Sequence, residues 1–481
     1  MPDMTTRLSE ADLRAAIERE LPGVRADLER LVRIPSIAFD GFDHSHVRAS
    51  AQATADLLRG AGVPDVRIVE AGGQPAVIGR RPAPPGAPTV LLYAHHDVQP
   101  IGDRGQWQSE PFEPLERNGR LYGRGATDDK AGVMAHVAAL RAFGDALPVG
   151  VVVFVEGEEE FGSSSLEVLL RDHRDEISSD VIVIADSGNW DIGEPALTTS
   201  LRGIVNAIID VRTLEHAVHS GQFGGAVPDA LTTLCRLLAT LHDSSGDVAI
   251  AGLVRGSAAP LDYPEQRFRH EAGVVDGVEL IGTGRIVDRL WAKPAVAVLG
   301  IDAPSTGEAP NALVPTARAK VSVRIAPGDD PVTALDALTA HVAAHAPWGA
   351  HVSVTLVHDG APCVIEAGGA AFEAARAALR TAWDGADPVD IGVGGSIPFI
   401  ATFQELFPGA PILVTGMGDP DTRAHGPNES LHLAEFTRVC LAEALLLANL
   451  APDGVAVVAE TGGADGAAGT AGPTAAKRPG E

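Results

Sequence analysis

The sequence predicts an α/β protein with a mixed, mainly parallel sheet and an inserted α+β domain. Short continuous apolar runs alternate with helical patterns in the first part of the chain and return near its end, as in sheets covered by helices on both faces. Between these parts, strands alternate apolar and polar residues, which is typical of strands with one exposed face. We expect a discontinuous first domain at 1–200 and 363–452 and an inserted domain at 201–362.

Four apolar runs are predicted to form buried strands of the first domain. They are Thr89–Ala94, Gly150–Val155, Asp180–Ala185 and Pro411–Thr415. The helical patterns of the same domain are Lys130–Ala146, Leu166–Ile177 and Ala370–Ala382. Because strands and helices alternate along the chain, neighbouring strands of this sheet are expected to run parallel.

The middle of the chain predicts a small α+β layer. Its alternating strands are Gly203–Val211, Ala317–Ile325 and His351–Val357, and its amphipathic helices are Asp229–His242 and Pro331–His345. Half-exposed strands leave edges that a soluble protein has to cover or pair. Pairing with the same segment of a second chain would satisfy these edges through a two-fold contact. We therefore expect a homodimer that forms through this domain.

Composition and charge exclude several classes of function. The chain has 64 acidic and 37 basic residues, and its net charge of −27 argues against nucleic acid as a partner. No apolar run approaches the ~18–20 residues of a membrane span, and the first residues do not resemble a secretory signal. The cysteines (Cys235, Cys363 and Cys440) form neither a disulfide framework nor a zinc ribbon. We expect a reducing, cytoplasmic compartment, and a disordered tail at 453–481, which is rich in Gly and Ala.

Metal-binding residue types follow three of the predicted buried strands. The first strand is followed by His95, His96 and Asp97, the second by Glu156, Glu158, Glu159 and Glu160, and the third by Asp186. In open α/β sheets, ligands bind beyond the carboxyl ends of the strands. Imidazole and carboxylate groups are common metal ligands. The shared position of these residues therefore favours a metal site at one edge of the sheet.

Each of these residues also has a plain structural interpretation. The glutamate run is typical of a solvated face, and Asp186 can be a turn residue. Asp128 can cap the helix that begins near Lys130. A single residue therefore carries little weight, and the hypothesis of a metal site depends on the location that they share.

Alternation along the extended chain distinguishes the two adjacent histidines. Residues i and i+2 share a face of a strand, so His95 and Asp97 point together and His96 points away. His95 can therefore bind a metal while Asp97 accepts a hydrogen bond from its other ring nitrogen or holds a nearby ligand.

Seven segments occur along the chain in a fixed order: YAHHDVQP, GRGATDDKAG, EGEEEFGS, the strand end at Asp186, AVHSGQFGG, GGSIP and AHGPNE. In this order they resemble the co-catalytic zinc metallopeptidases, a family that includes aminoacylases, glutamate carboxypeptidases, desuccinylases and carnosinase-like dipeptidases. The resemblance extends from about Leu28 to Leu450. The region from His95 to Gly125, with DVQP, WQSEPF and LYGRG, most resembles the cytosolic dipeptidase and carnosinase-like branch.

The resemblance implies two divalent metal ions per chain, with zinc as the first choice and manganese or cobalt as alternatives. The implied ligands are His95 and Asp186 for one ion, Glu160 and His425 for the other, and Asp128 as the bridge between them. A cis peptide bond between Asp128 and Asp129 is also implied.

The resemblance further implies the residues that carry out catalysis. Asp97 is the implied catalytic-site aspartate, and Glu159 is the implied general base, which passes a proton from water to the leaving amine. The Phe-Gly-Ser that follows Glu160 determines this register, and Glu158 is the alternative base if the register is wrong. His219 is implied to stabilise the oxyanion, either in its own chain or in the site of a neighbouring subunit.

The implied substrate-holding residues are Asn311, Arg324 and Ser396. Arg324 is the natural partner of a terminal carboxylate, because its guanidinium matches the geometry of that group. One position departs from the family pattern, since Ala217 stands where relatives commonly have an aspartate before His-Ser-Gly. This departure concerns the orientation of His219 and not the metal ligands.

The predicted activity is hydrolysis of an amide bond next to a free carboxylate, with a dipeptide as substrate. The alternative within the enzyme class is an N-acyl-amino-acid or carbamoyl amidohydrolase that uses the same two metal ions. A catalytically inactive scaffold is a further alternative. The intact Glu159 and the five intact ligands argue against a scaffold, because an inactive relative would have lost some of them.

Overall fold

The structure is a computed structural model that describes residues 8–395 and 398–452. Its helices are α1 (Glu10–Val32), α2 (Ser45–Gly60), α3 (Lys130–Phe143), α4 (Leu166–Asp172), α5 (Arg174–Ile177), α6 (Ser220–Phe223), α7 (Ala230–Ala239), α8 (Glu265–Glu271), α9 (Ile286–Trp291), α10 (Pro331–Ala344), α11 (Ala370–Ala382), α12 (Pro398–Leu406) and α13 (Leu433–Asn449). Its strands are β1 (Asp65–Val69), β2 (Ala76–Arg81), β3 (Thr89–His95), β4 (Leu115–Arg117), β5 (Arg120–Tyr122), β6 (Gly150–Glu156), β7 (Val181–Ile184), β8 (Ala196–Leu201), β9 (Gly203–Arg212), β10 (Val218–His219), β11 (Ala295–Asp302), β12 (Ala312–Leu313), β13 (Thr316–Ile325), β14 (His351–Gly360), β15 (Cys363–Val364), β16 (Val389–Val393), β17 (Ile412–Val414) and β18 (Ser430–His432).

The large sheet has the strand order β1-β2-β6-β3-β7-β17-β8-β15, and β16 also pairs with β8. Its central strands β6, β3, β7 and β17 are parallel to one another. Antiparallel strands lie at both margins, β1 and β2 on one side and β8 and β15 on the other. This arrangement confirms the predicted α/β class with a mixed sheet whose centre is parallel.

The four predicted apolar runs form these central strands because both of their faces are covered. Every residue of β6, β7 and β17 is buried. Helix α3 is also buried along almost its whole length and lies between β3 and the helices α1 and α13. A strand or helix that is covered on all sides has no need of a polar face, which explains the continuous apolar composition of these segments.

The small sheet has the order β11-β13-β9-β14, and all of its pairs are antiparallel. The alternating side chains of β9 and β13 that point inward are covered by α7 and α10. The predicted α+β layer is therefore present. The chain passes from β8 of the large sheet into β9 after Leu201, and it returns from β14 to β15 of the large sheet at Cys363.

Three predicted helices are shorter or less continuous than expected. The pattern Asp229–His242 forms an α-helix only over Ala230–Ala239. The pattern Lys130–Ala146 forms an α-helix only as far as Phe143, because Gly144 has a φ of 52° and starts a separate 3₁₀ turn. The pattern Leu166–Ile177 divides at His173 into α4 and α5. The predicted tail at 453–481 lies outside the described residues. Among the described helices, none combines the length and apolar character that a bilayer crossing requires.

Candidate active site

The parallel centre of the large sheet brings the ends of β3, β6 and β7 to one edge. In the register of the strands, His95 at the end of β3 is opposite Glu156 at the end of β6. Tyr93 is opposite Ile184, the last residue of β7, and Asp186 follows two residues later. The expected juxtaposition of the three strand ends is therefore present, and it follows from the parallel pairing.

The residues predicted as metal ligands gather at this edge. Two groups have ligand atoms within 4.8 Å of one another, namely His95 with Glu159 and Asp186, and His95 with Asp128 and Glu160. Asp128 lies between two histidines: its Oδ1 is 3.1 Å from His95 Nε2, and its Oδ2 is 3.0 Å from His425 Nε2. The second oxygen shares His425 with Glu160 Oε2, which is 3.2 Å from the same nitrogen.

The charges in this cluster are unbalanced without a cation. Burial raises the pKa of Asp186 and of Glu159 well above the ordinary carboxyl values, and the charge of Asp186 raises that of Glu159 further. Burial also raises the pKa of Glu160. Carboxylates that repel one another in a buried site favour either protons or metal ions. Imidazole and carboxylate donors around Asp128 fit two divalent ions that share this residue.

Carboxylates of the same cluster raise the pKa values of the two histidines. Burial alone would lower the pKa of His95, but its hydrogen bonds to Asp128 and Asp97 raise that pKa well above its ordinary value. Hydrogen bonds to Asp128 and Glu160 likewise raise the pKa of His425. Each ring therefore interacts with Asp128, the residue that would share a metal ion with it.

Asp97 is buried behind the cluster and organises it. Its Oδ1 lies 3.3 Å from His95 Nδ1 and accepts a hydrogen bond from the backbone N–H of Glu159 at 3.2 Å. Its Oδ2 accepts the N–H of Glu160 at 3.0 Å. One carboxylate thus fixes the ring of His95 and the turn that carries both glutamates, which is the supporting contact that metal-binding histidines need.

The glutamate run divides into residues that face the cluster and residues that do not. Glu158 is buried and accepts hydrogen bonds from Gln74 N at 2.8 Å, Ser164 Oγ at 3.1 Å and Ser165 N at 2.6 Å. Glu159 Oε2 lies 4.0 Å from His95 Nε2. The carboxylate of Glu158 is therefore fully engaged in holding the turn, and it is Glu159 that borders the cluster.

The loop that carries Asp128 is held by Glu429, a residue to which the sequence alone gave no role. The buried Glu429 carboxylate accepts the N–H groups of Gly125, Thr127 and Asp128 at 3.0–3.1 Å and pairs with Arg124 Nη1 at 2.7 Å. The signal for it was its place in AHGPNE, four residues after His425. The expected cis peptide bond between Asp128 and Asp129 is present.

The residues predicted on the inserted layer lie apart from the cluster. His219 is exposed, and its Nδ1 accepts the N–H of Gly221 at 3.0 Å. Ser220 donates from its N–H and its hydroxyl to the carbonyl of Asn311, at 3.0 and 2.8 Å, so His219 and Asn311 are neighbours. In the described part of the chain, no hydrogen bond or ion pair joins His219 to the metal-ligand cluster.

Two arginines with no carboxylate partner among the described residues lie near the passage of the chain from β8 into β9. Burial lowers the pKa of the half-buried Arg324. Burial and the neighbouring Arg324 together lower the pKa of Arg202 to about 10, and the Arg202 guanidinium donates to the carbonyls of Arg289, Lys293 and Gly394. No motif in the sequence distinguishes Arg202 from the other arginines. Ser396, predicted to hold substrate, lies outside the described residues.

Comparisons with known proteins agree with this architecture. The cysteinylglycine-S-conjugate dipeptidase of Corynebacterium striatum is 37% identical over 377 residues, which cover 77% of this chain and 83% of that enzyme. The structure of the di-peptidase Dug1p from Saccharomyces cerevisiae has a TM-score of 0.80 at 26% identity and covers 92% of this chain and 98% of its own. Human carnosine dipeptidase 1 has a TM-score of 0.75 at 26% identity, with coverages of 91% and 99%.

The family resemblance inferred from the seven segments is confirmed by these relatives. The model of peptidase family M20/M25/M40 matches residues 91–449, a region that contains His95, Asp128, Glu160, Asp186 and His425. On this match, the chain belongs to peptidase family M20/M25/M40.

Proposed function

We propose that this protein is a metal-dependent dipeptidase. The observation that carries the proposal is the position of Asp128, whose two carboxylate oxygens each approach a different histidine, His95 and His425, at 3.0–3.1 Å. A carboxylate in this position is suited to bridge two ions. In this proposal, Asp186 completes the site on the His95 side, and Glu160 completes the site on the His425 side.

Two divalent ions bound there would supply Lewis-acid activation of the scissile carbonyl and of water. Residues of the chain itself transfer the proton. Glu159 takes a proton from water and delivers it to the leaving amine, because its carboxylate borders the cluster and its pKa is raised by burial and by the charge of Asp186. Asp97 positions His95 and the turn that carries Glu159. We assign zinc to the site first, with manganese and cobalt as alternatives.

Arg324 is assigned to the free carboxylate of the substrate, with Asn311 and Ser396 as further contacts. An arginine without an acidic partner in the described part of the chain retains its full capacity to bind a carboxylate. Its partial burial strengthens such a pair, because the surrounding dielectric is lower than that of water. His219 is assigned to the oxyanion.

The inserted segment 201–362 is assigned as a lid and dimerisation domain, with 1–200 and 363–452 as the catalytic domain. The edge strands β11 and β14 expose several apolar side chains, namely Val298, Leu299, Ile301, Leu356 and Val357. A second copy of the chain would cover this surface. All three cysteines lie in the described part of the chain and are free, which supports a reducing, cytoplasmic compartment.

The dipeptidase names of the similar proteins favour a dipeptide over an N-acyl or carbamoyl amino acid. The test is an assay of metal-free protein reloaded with zinc, manganese or cobalt, with Cys-Gly, β-Ala-His and N-acetyl amino acids as substrates. We expect dipeptides to be hydrolysed, chelator to abolish activity, and elemental analysis to find two ions per chain. Faster hydrolysis of N-acetyl amino acids would overturn the proposed substrate.

A matched pair of variants tests the bridging role. Asp128→Asn should reduce the bound metal to at most one ion per chain, because it removes the charge between the two histidines. Glu110→Gln changes an exposed carboxylate that pairs with Arg104, so its metal content should be that of the wild type. Two tightly bound ions in Asp128→Asn protein would contradict the proposal.

A further inference from the structure

A cavity of about 480 Å³ lies directly beside the candidate metal ligands. Asp128 and Asp186 line one end of it. Its other walls are the turn that follows Asp186, the region of α8 and α9, strand β16 and the segment 418–424, which contributes Asp419 and Arg423. The cavity is therefore open to a substrate held next to Asp128 and Asp186.

Three aromatic rings line the cavity. Trp190 packs edge-to-face against Tyr263 at 4.9 Å and against Trp291 at 5.9 Å between ring centroids. Trp190 and Trp291 are buried and Tyr263 is half-buried. The three rings come from three separate parts of the chain, and aromatic pairs of this geometry hold one another in place.

An arginine whose charge is neutralised by two carboxylates completes this aromatic wall. The guanidinium of Arg267 lies 4.4 Å above the ring of Trp190 and 5.4 Å from the ring centroid of Tyr263. It also pairs with Glu271 at 2.5 Å and with Asp191 at 3.3 Å. Because two carboxylates already neutralise it, Arg267 offers a flat stacking surface rather than a free charge for an anionic group.

We propose that this cavity binds the side chain of the amino-terminal residue of the dipeptide, and that it selects large apolar or aromatic side chains. The inference rests on the proposed function. Of the residues assigned to the carboxyl end of the substrate, neither Asn311 nor Arg324 lines the cavity in the described part of the chain. The cavity therefore belongs to the side of the scissile bond away from the free carboxylate.

The size of the cavity agrees with this assignment. Sites for small molecules commonly measure about 300–1,000 Å³ and combine apolar walls with a few polar groups. A phenyl or indole group fills a much larger part of such a space than a methyl group does. Water displaced from aromatic walls by an aromatic side chain favours binding, so the wild type should prefer Phe-Gly and Trp-Gly to Ala-Gly.

The first experiment measures this preference. With metal-loaded wild type, kcat/KM for Phe-Gly should exceed that for Ala-Gly at least about tenfold, the lower end of discrimination by apolar pockets. Tyr263→Ala and Trp291→Ala should reduce this ratio several-fold, whereas Tyr263→Phe should keep it because the ring remains. Leu290→Trp, which fills the cavity from its lining, should lower the ratio below that of the wild type.

Trp348→Ala is the matched control, because this tryptophan is exposed on the inserted layer and lines no part of the cavity in the described residues. It should leave both kcat/KM values unchanged. Equal values for Phe-Gly and Ala-Gly in the wild type, or a loss in the wall variants that is equal for both substrates, would overturn the inference while the dipeptidase function stands.

A binding experiment separates the two proposals. Glu159→Gln protein loaded with metal is titrated calorimetrically with Phe-Gly and with Ala-Gly. Tighter binding of Phe-Gly that is lost in the Glu159→Gln, Trp291→Ala double variant supports the cavity, even if the wild type hydrolyses no dipeptide and the proposed function fails. Equal affinities for the two dipeptides would overturn the inference independently of catalysis.

Discussion

At the scale of single residues, the three consecutive glutamates 158–160 show how one residue type takes three roles. Glu158 is buried and accepts three hydrogen bonds that hold the turn. Glu160 approaches His425 at 3.2 Å, and Glu159 borders His95 and Asp186. The roles differ because the 3₁₀ turn over Glu159–Phe161 sends successive side chains in different directions.

The assignment of Glu159 as the base leads to a prediction at this scale. Glu159→Gln keeps the shape of the side chain and removes the proton acceptor. We expect kcat to fall at least about 10²-fold, the lower end of general-base contributions. Elemental analysis should find the same metal content as in the wild type, because the proposed ligands are unchanged.

Glu158→Gln serves as its neighbouring control. It should lower the stability of the turn, since Gln74 N and Ser165 N lose a charged acceptor, and it should leave kcat within a few-fold of the wild-type value. A large loss of kcat in Glu158→Gln with little loss in Glu159→Gln would reverse the register that we propose.

The residues that the sequence alone could indicate are those next to a strand end or within a family segment. His95, Asp128, Glu160, Asp186 and His425 fall into this group, and the fold brings them together. Residues that act on them from elsewhere in the chain could not be identified. Glu429 holds backbone groups about 300 residues away, and in the described part of the chain Arg202 donates to backbone carbonyls, so neither contact leaves a pattern in the local sequence.

At the scale of elements, hydrophobic periodicity predicted those strands that are buried on both faces or on one face only. The four apolar runs became the parallel centre of the sheet, and β9, β13 and β14 formed the expected half-exposed layer. The marginal strands β1, β2 and β8 were not predicted. β1 is exposed or half-buried throughout, whereas β2 and β8 are mostly buried but short and contain polar residues. The pairing of β2 with β6 and of β8 with β17 depends on neighbours far along the chain rather than on local pattern.

A buried ion pair joins two of the core helices and leads to a prediction about pH. His136 on α3 lies 2.8 Å from Glu443 on α13 through Nδ1 and 3.1 Å from the carbonyl of Tyr93 through Nε2. Both partners are acceptors, so the ring satisfies both only when it is doubly protonated. Burial opposes this charge, but Glu443 and the carbonyl outweigh the burial and raise the pKa of His136 above its ordinary value.

Because folding raises the pKa of His136, its ion pair with Glu443 stabilises the protein fully below the unfolded-state pKa of about 6.5. This stabilisation is lost as pH rises through the folded-state pKa of His136. His136→Gln should therefore reduce the free energy of unfolding by about 3 kcal/mol at pH 6 and by less at pH 9. Urea unfolding of metal-loaded protein at several pH values measures this difference.

His46→Gln is the control for this measurement, because the half-buried His46 has a solvent-accessible ring that lies 4.0 Å from Asp43. Its effect on the free energy of unfolding should stay within about 0.5 kcal/mol at every pH. A destabilisation by His136→Gln that does not change with pH would mean that the ring is neutral in the folded protein.

At the scale of the whole molecule, the two sheets divide the proposed reaction between them. The large sheet carries the candidate metal ligands, and Arg324 lies on β13 of the small sheet. His219 lies on β10, which pairs with β12 in a separate two-stranded sheet of the inserted segment, next to Asn311. Helix α9 of the inserted segment packs against β16 of the large sheet through Trp291 and Ile391, so the wall of the cavity belongs to both parts. A movement of the small sheet would change the distance between Arg324, proposed to bind the carboxylate of the substrate, and the candidate metal ligands next to the scissile carbonyl.

The position of His219 leads to a prediction about assembly. His219 is exposed, its backbone pairs with Ala312 of β12, and its ring accepts a hydrogen bond from the N–H of Gly221. If His219 acts in the site of a second chain, each active site needs one residue from each partner. Mixing His219→Ala chains with Glu159→Gln chains then produces mixed dimers in which one site contains both intact groups.

Each homodimer of these variants should be nearly inactive, and complete random exchange should restore about a quarter of wild-type activity, because half of the dimers are mixed and each has one complete site. His216→Ala provides the matched control: this histidine is exposed three residues earlier in the same loop, so the variant should be active as a homodimer. Differently tagged chains measure subunit exchange directly. If both homodimers are inactive, exchange is complete and activity does not return, His219 acts within its own chain, because no mixed dimer would then contain a complete site. An active His219→Ala homodimer would instead place His219 outside catalysis.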